Sequence, residues 1–135
     1  MYQSALKAYD SVNKSTMSGR DVEANVLTKA AIKLKECQDS WGQGGQFNQR
    51  LHEALKYNQR IWTIFQAELD KPENPLPIGL KRDVLRLSLF IDKRTIDTLA
   101  FPSPEKLRIL IEINHNIAAG LRSGLPAASA DKAAA

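Results

Sequence analysis

The sequence predicts an all-α protein, an antiparallel helical bundle of about five helices with a short first helix and a disordered, Ala-rich C-terminal tail. Three observations predict it. Apolar residues recur at helical spacing along almost the whole chain. Strand signals are nearly absent, with no sustained period-two alternation bounded by turns. Glycine and proline fall in clusters, and short connections between periodic segments favour antiparallel neighbours.

The first segment, Tyr2 to Val12, sets Tyr2, Ala5, Leu6, Tyr9 and Val12 on one helical face. Asn13 to Met17 is polar and reads as a linker. Ser18, three residues before Asp21, resembles a capping box with Asp in place of Glu or Gln. A second helix runs from there to about Ser40 on a stripe of Val26, Leu27, Ala30, Leu34, Cys37 and Trp41. Gly42, Gly44 and Gly45 end it, because glycine tolerates the left-handed backbone that follows helices. The third helix is expected from about Gln46 to Lys71, with Phe47, Leu51, Ala54, Leu55, Ile61, Trp62, Phe65 and Leu69 along one side. Pro72, Pro75 and Pro77 punctuate the next loop, where Asn74 before Pro75 reads as the N-cap of a fourth helix reaching about Ala100. Ser103 and Pro104 repeat that cap-then-proline logic for a fifth helix ending near Leu121 to Ser123. The tail from Leu125 to Ala135 carries no core-forming pattern and is expected to be loosely held. The division is therefore one helical domain over 1–123 and a flexible tail over 124–135, without internal repeats.

Composition narrows the class. The 135 residues suit one domain with a real core. A 43% apolar and 25% charged chain is expected to be soluble. No apolar run approaches a membrane span, and Met1-Tyr2-Gln3-Ser4 does not begin a signal peptide. A single cysteine excludes an intrachain disulfide and points to a reducing, cytoplasmic setting. The net charge of +4 is mild.

Catalytic and ligand-binding chemistry is missing from the sequence. His52 and His115 stand far apart, without a second histidine or cysteine at metal-ligand spacing. Cys37 lies on an apolar stripe and reads as a packed, inert thiol. Gly42-Gln43-Gly44-Gly45 follows a helix rather than a strand, and no Gly-Lys-Ser/Thr completes a phosphate loop. Asn13-Lys14-Ser15 matches a glycosylation sequon, but nothing suggests secretion. Asp92 and Asp97 do not share a helical face, and Glu105 and Glu112 read as surface residues, so no constellation meets the minimum for catalysis. The chain is read as a non-enzyme without metal or cofactor.

Two features are unusual. Asn58 and Asn114 occupy positions in apolar stripes where leucine is expected. Either they bond each other or nearby backbone and fix helix register, or they touch a ligand. The second feature is surplus apolar surface. The fourth helix carries one stripe of Leu80, Val84, Leu87 and Ile91, continuing through Thr95 and Thr98, and another of Ile78, Leu85, Leu89 and Ile96. The fifth adds Ile109 and Ile113 beside its main stripe. A helix apolar on two sides is either central or covers a partner. In the second case these residues, with Tyr57 and Ile64 flanking, form a groove for an amphipathic helix of another protein. Basic residues such as Lys29, Lys33, Lys81, Arg82, Lys93 and Arg94 are interleaved with acidic ones, which favours a solvated face over an RNA surface.

The stretch Ser18-Gly19-Arg20-Asp21-Val22-Glu23-Ala24, leading to Leu27 and Ala30, resembles the start of the second helix in the flagellar biosynthesis regulator FlaF family. Tyr57-Asn58-Gln59-Arg60-Ile61-Trp62 is similar to that family's asparagine-x-x-(apolar)-tryptophan signature, and Asn74-Pro75-Leu76-Pro77 resembles its linker. Ile111-Glu112-Ile113-Asn114-His115-Asn116-Ile117, then Gly120-Leu121, resembles its C-terminal helix; Ala5 to Asp10 fits more loosely. The motifs stand in the family's order up to about Arg122, and the tail lies outside them. The resemblance implies a cytoplasmic helper of flagellum assembly, of a kind found in alphaproteobacteria. Such a protein binds flagellin subunits and supports their synthesis or export, alongside FlbT, a translational regulator of flagellin messenger RNA. Two other readings stay open: an RNA-binding post-transcriptional regulator of flagellin mRNA, and a scaffold whose second stripes close a homodimer.

Overall fold

The computed structural model describes residues 19–123. The described chain is helical throughout, with four helices: α1 Gly19–Asp39, α2 Phe47–Asp70, α3 Ile78–Ala100 and α4 Pro104–Arg122. Four replace the expected five, because the predicted first helix, Tyr2 to Val12, lies outside the described residues, as do Ser18 and the tail from 124 onward.

The turns obey the chemistry read from the sequence, with two corrections. Gly42 and Gly44 take positive φ angles of 74° and 86° between α1 and α2. A side chain is strained in that region and glycine is not, which is why the chain turns there. The fourth predicted helix begins later than expected, at Ile78. Asn74 does not cap it; its Oδ1 accepts a bond from Leu76 N at 3.0 Å, closing a local turn in the loop instead. Ser103 occupies the N-cap of α4 in extended conformation, followed by Pro104 in the first turn, but its side chain makes no capping bond. The fixed φ of proline carries that helix start without the hydroxyl.

Successive helices run antiparallel, and α4 returns to lie against α1. Gln38, near the end of α1, donates to the Pro104 carbonyl at the start of α4 at 3.1 Å. Arg122, at the end of α4, donates to Asn25 and Thr28 near the start of α1 at 3.0 and 2.8 Å. The α1–α4 interface is the most extensive in the bundle. Its closeness follows from small side chains: Ala24, Ala30 and Ala31 of α1 and Ala118 of α4 are all fully buried. Larger residues fill the centre, with Leu27, Leu34, Leu55, Ile61, Trp62, Ile91, Leu107 and Leu110 sealed from solvent.

The third helix is the outlying element. It packs mainly on α2 and far less on α4. Its buried positions are Ser88, Ile91, Thr95 and Thr98, so a single large apolar side chain anchors it fully. Gln66 of α2 donates to the Ser88 hydroxyl. At the far end, Lys106 of α4 meets Asp97 at 3.0 Å and the Phe101 carbonyl at 2.6 Å. Among the described residues no helix is long and apolar enough to cross a membrane.

Candidate functional site

A polar cluster sits in the middle of the apolar core. Asn114 of α4 donates through Nδ2 to Asn58 Oδ1 of α2 at 2.6 Å and to the Leu27 carbonyl of α1 at 3.3 Å. Its Oδ1 accepts from Trp62 Nε1 at 3.0 Å. One carboxamide thus ties three helices together, and both asparagines and the tryptophan are fully buried. The side chain reaches a backbone carbonyl of α1 because alanines bring α1 and α4 close. Two buried polar atoms, Asn58 Nδ2 and Thr95 Oγ1, find no partner among the described residues.

The surface candidates divide by helix. On α3 the residues Ile78, Leu85, Leu89 and Ile96 fall within a narrow sector at ~100° per residue, forming a ridge about 27 Å long at 1.5 Å per residue. Ile78, Leu89 and Ile96 are 69%, 60% and 61% exposed, and Leu85 is half-buried. The stripe of Ile91, Thr95 and Thr98 turns inward on the opposite side. So α3 is not a central helix, and its second stripe faces out. Phe90 and Phe101 add exposed aromatic surface that the periodicity does not single out, Phe101 being 71% exposed. Arg94 lies over the Phe90 ring at 5.5 Å, and Lys106 over Phe101 at 5.7 Å. The signal available in the sequence is weak: an aromatic residue at the helix end, just before Pro102.

The other candidates sit elsewhere. Tyr57 of α2 is half-buried beneath Lys33, whose Nζ lies 5.2 Å from the ring. It borders a charged hollow with Lys33 and Glu36 of α1 and Arg50 and Glu53 of α2; no α3 residue lines this hollow. Ile64 is exposed two turns further along the same face of α2. Ile109 and Ile113 are half-buried against the core. The strongly exposed apolar stripe among the candidates is therefore that of α3.

Sequence reasoning also misses a cavity of about 400 Å³ at the end of the bundle where α1 begins and α4 ends. Its apolar lining comes from Phe65 and Leu69 of α2, Leu76 and Val84 at and after the loop, and Ile117 and Leu121 of α4. Glu23 stands at its wall with Glu68 and Arg20. Burial, and then the Glu68 charge, push the Glu23 carboxyl above its ordinary value, while Arg20 opposes the shift.

Among the described residues no three His, Cys, Asp or Glu side chains gather as a metal site would require. His52 and His115 are both exposed. Cys37 is buried, and burial pushes its thiol up, away from the reactive thiolate.

Comparison with known proteins supplies the family. No curated protein and no solved structure matches the chain. The family model described as flagellar protein FlaF matches residues 5–121. That span includes the asparagine–tryptophan cluster, the proline-rich loop and almost the whole bundle, and the chain belongs to the FlaF family of flagellar proteins.

Proposed function

We propose that this protein is a non-enzymatic, cytoplasmic regulator or chaperone of flagellum assembly that binds flagellin and supports its synthesis or secretion. The observation that carries the reading is the outward apolar ridge of α3. Exposed isoleucine and leucine side chains at positions 78, 89 and 96 keep apolar surface in water along about five turns of helix. Such a ridge suits an amphipathic helix whose own apolar face is otherwise unprotected, as in an unpolymerised subunit. Family membership supports a flagellar role, and binding needs no catalytic residue. FlbT is a second proposed partner.

The test is co-elution of purified chain and flagellin on size exclusion. Leu85→Asp with Leu89→Asp abolishes the complex while helical content survives. Because Leu85 is half-buried, Leu89→Asp with Ile96→Asp serves as a second pair that touches exposed positions only. A folded variant of either pair that still binds flagellin removes the ridge from the reading. Retention of flagellin mRNA that falls steeply with salt, without a flagellin complex, would instead favour an RNA regulator.

A further inference from the structure

On α3, Ile78, Leu85, Leu89 and Ile96 follow one another at intervals of seven, four and seven residues. That is the spacing of seam positions in a coiled coil, where Ile78 and Leu85 fall at d and Leu89 and Ile96 at a. The positions that flank such a seam, e and g, select the partner by charge. On α3 the two flanks differ. At g, Ser88 and Thr95 are buried and Lys81 is half-buried, and the Ser88 hydroxyl accepts a bond from Gln66 of α2, so that edge turns into the bundle. At e stand Arg86 and Lys93, both exposed, with exposed Arg82 beside them in the seam. Among the described residues none of these three cations forms an ion pair. We propose that the α3 ridge is docked by a helix of another protein whose apolar seam is edged by carboxylates, which pair with Arg86 and Lys93. This rests on the reading of the ridge as a helix-docking surface and adds the charge pattern of its occupant.

Width and charge choose that occupant. The four ridge residues lie within about 40° of one another at ~100° per residue, and Arg82 and Asp92 interrupt the seam between them. A helix that lies on a lipid surface buries a broader, unbroken apolar face. A narrow seam with a few polar positions suits a second helix, because those positions fix register. A second copy of this chain fits poorly. Antiparallel pairing of two α3 helices sets e against e, so Arg86 and Lys93 would meet like charges. Parallel pairing sets e against g, where the other copy offers Lys81 and two buried hydroxyls. Asp97, the next carboxylate along from Lys93, is already held by Lys106 at 3.0 Å. An acid-edged helix gives both e-position cations the counter-charge that their own chain leaves out.

The experiment is fluorescence anisotropy with the full chain and two synthetic peptides of about three heptads, both with leucine at a and d. One carries glutamate at e and g, the other lysine. The glutamate peptide is expected to bind at least about tenfold more tightly, as a few rim ion pairs of ordinary strength would give. Its affinity should fall as salt rises from about 50 to 500 mM. Arg86→Glu with Lys93→Glu should reverse the preference while helical content by circular dichroism stays unchanged, and the two-peptide comparison on the unsubstituted chain stands without that variant. Equal binding of the two peptides, capture of neither, or a folded variant that still prefers glutamate overturns the proposal. So does binding to phosphatidylglycerol vesicles with neither peptide captured, or a dimer in solution that Leu89→Asp dissociates. A flagellin complex indifferent to Arg86→Glu with Lys93→Glu overturns this charge pattern and leaves the flagellin reading standing. Selective capture of the glutamate peptide without any flagellin complex supports the charge pattern and removes flagellin as the occupant.

Discussion

Asn114 bonds to groups on two other helices, and its replacement tests how much a buried carboxamide holds. Asn114→Ala leaves Trp62 Nε1 and Asn58 Oδ1 without their partner in the core. At about 1–3 kcal/mol for each of the two stranded groups, urea unfolding should show a loss of about 2–6 kcal/mol. Asn58→Leu combined with Asn114→Leu should cost less than the sum of the single changes, because removing both ends strands fewer polar atoms. Strict additivity in that cycle would mean that the two side chains do not act together. Glu23 gives a pH test. Its folded carboxyl titrates above the unfolded value, so this group favours the folded state below about pH 4.5 and loses that contribution as pH rises through the higher folded value. Glu23→Gln should therefore stabilise the protein at neutral pH and make little difference below the unfolded carboxyl range, measured by thermal unfolding across pH.

At the scale of the element, α3 separates the two meanings of an apolar stripe. Its inner stripe passes from Leu80, Val84, Leu87 and Ile91 into Thr95 and Thr98 while its outer one stays apolar to Ile96, yet it is the inner one that packs. Ile91→Ala removes the single fully buried large apolar side chain of α3 and should cost roughly 2–5 kcal/mol, read by urea unfolding. Leu89→Lys or Ile96→Lys on the exposed ridge should change stability by no more than about 0.5 kcal/mol, since exposed sites away from such packing tolerate substitution. A large loss from the ridge variants would show that the ridge is covered in the free protein. The turn between α1 and α2 offers a backbone counterpart. Gly44→Ala forces a Cβ into a positive φ of 86° and should destabilise by about 1–2 kcal/mol. Gly79 lies within α3, where an added methyl would meet open space and no positive φ is required, so alanine there should be neutral or favourable.

For the whole molecule, the unequal interfaces predict unequal stability. The α1–α4 pair is alanine-tight and crossed by hydrogen bonds at both ends, whereas α3 has one strong apolar anchor and a thin contact with α4. Native-state hydrogen exchange should open α3 at lower free energy than α1 or α4, because local opening costs least where few buried apolar contacts are broken. Equal protection across all four helices would contradict this. Such an order also suits the proposed function, as a partner laid along the ridge would add contacts to the helix that has fewest.

Much of this architecture is legible in the chain. Periodicity locates every described helix to within a few residues, glycines mark the first turn, and the inner stripe of α3 extends through Thr95 and Thr98 as its spacing predicts. Asn58 and Asn114 stand out because they interrupt apolar runs. The start of α3 and the cap of α4 differ from expectation. Asn74 shows why in the first case: a side chain that is able to cap a helix is equally able to bond within its own loop. By itself, then, the sequence determined the four described helices, their phases, the glycine turn after α1 and the family. Only the tertiary structure decided that α3 lies at the margin with its second apolar stripe outward, that Asn114 bridges three helices, and that a cavity forms where α1 begins and α4 ends. The physical reason is that periodicity records which residues share a face. The identity of the surface opposite that face depends instead on how closely small side chains such as Ala24 and Ala118 let distant helices approach.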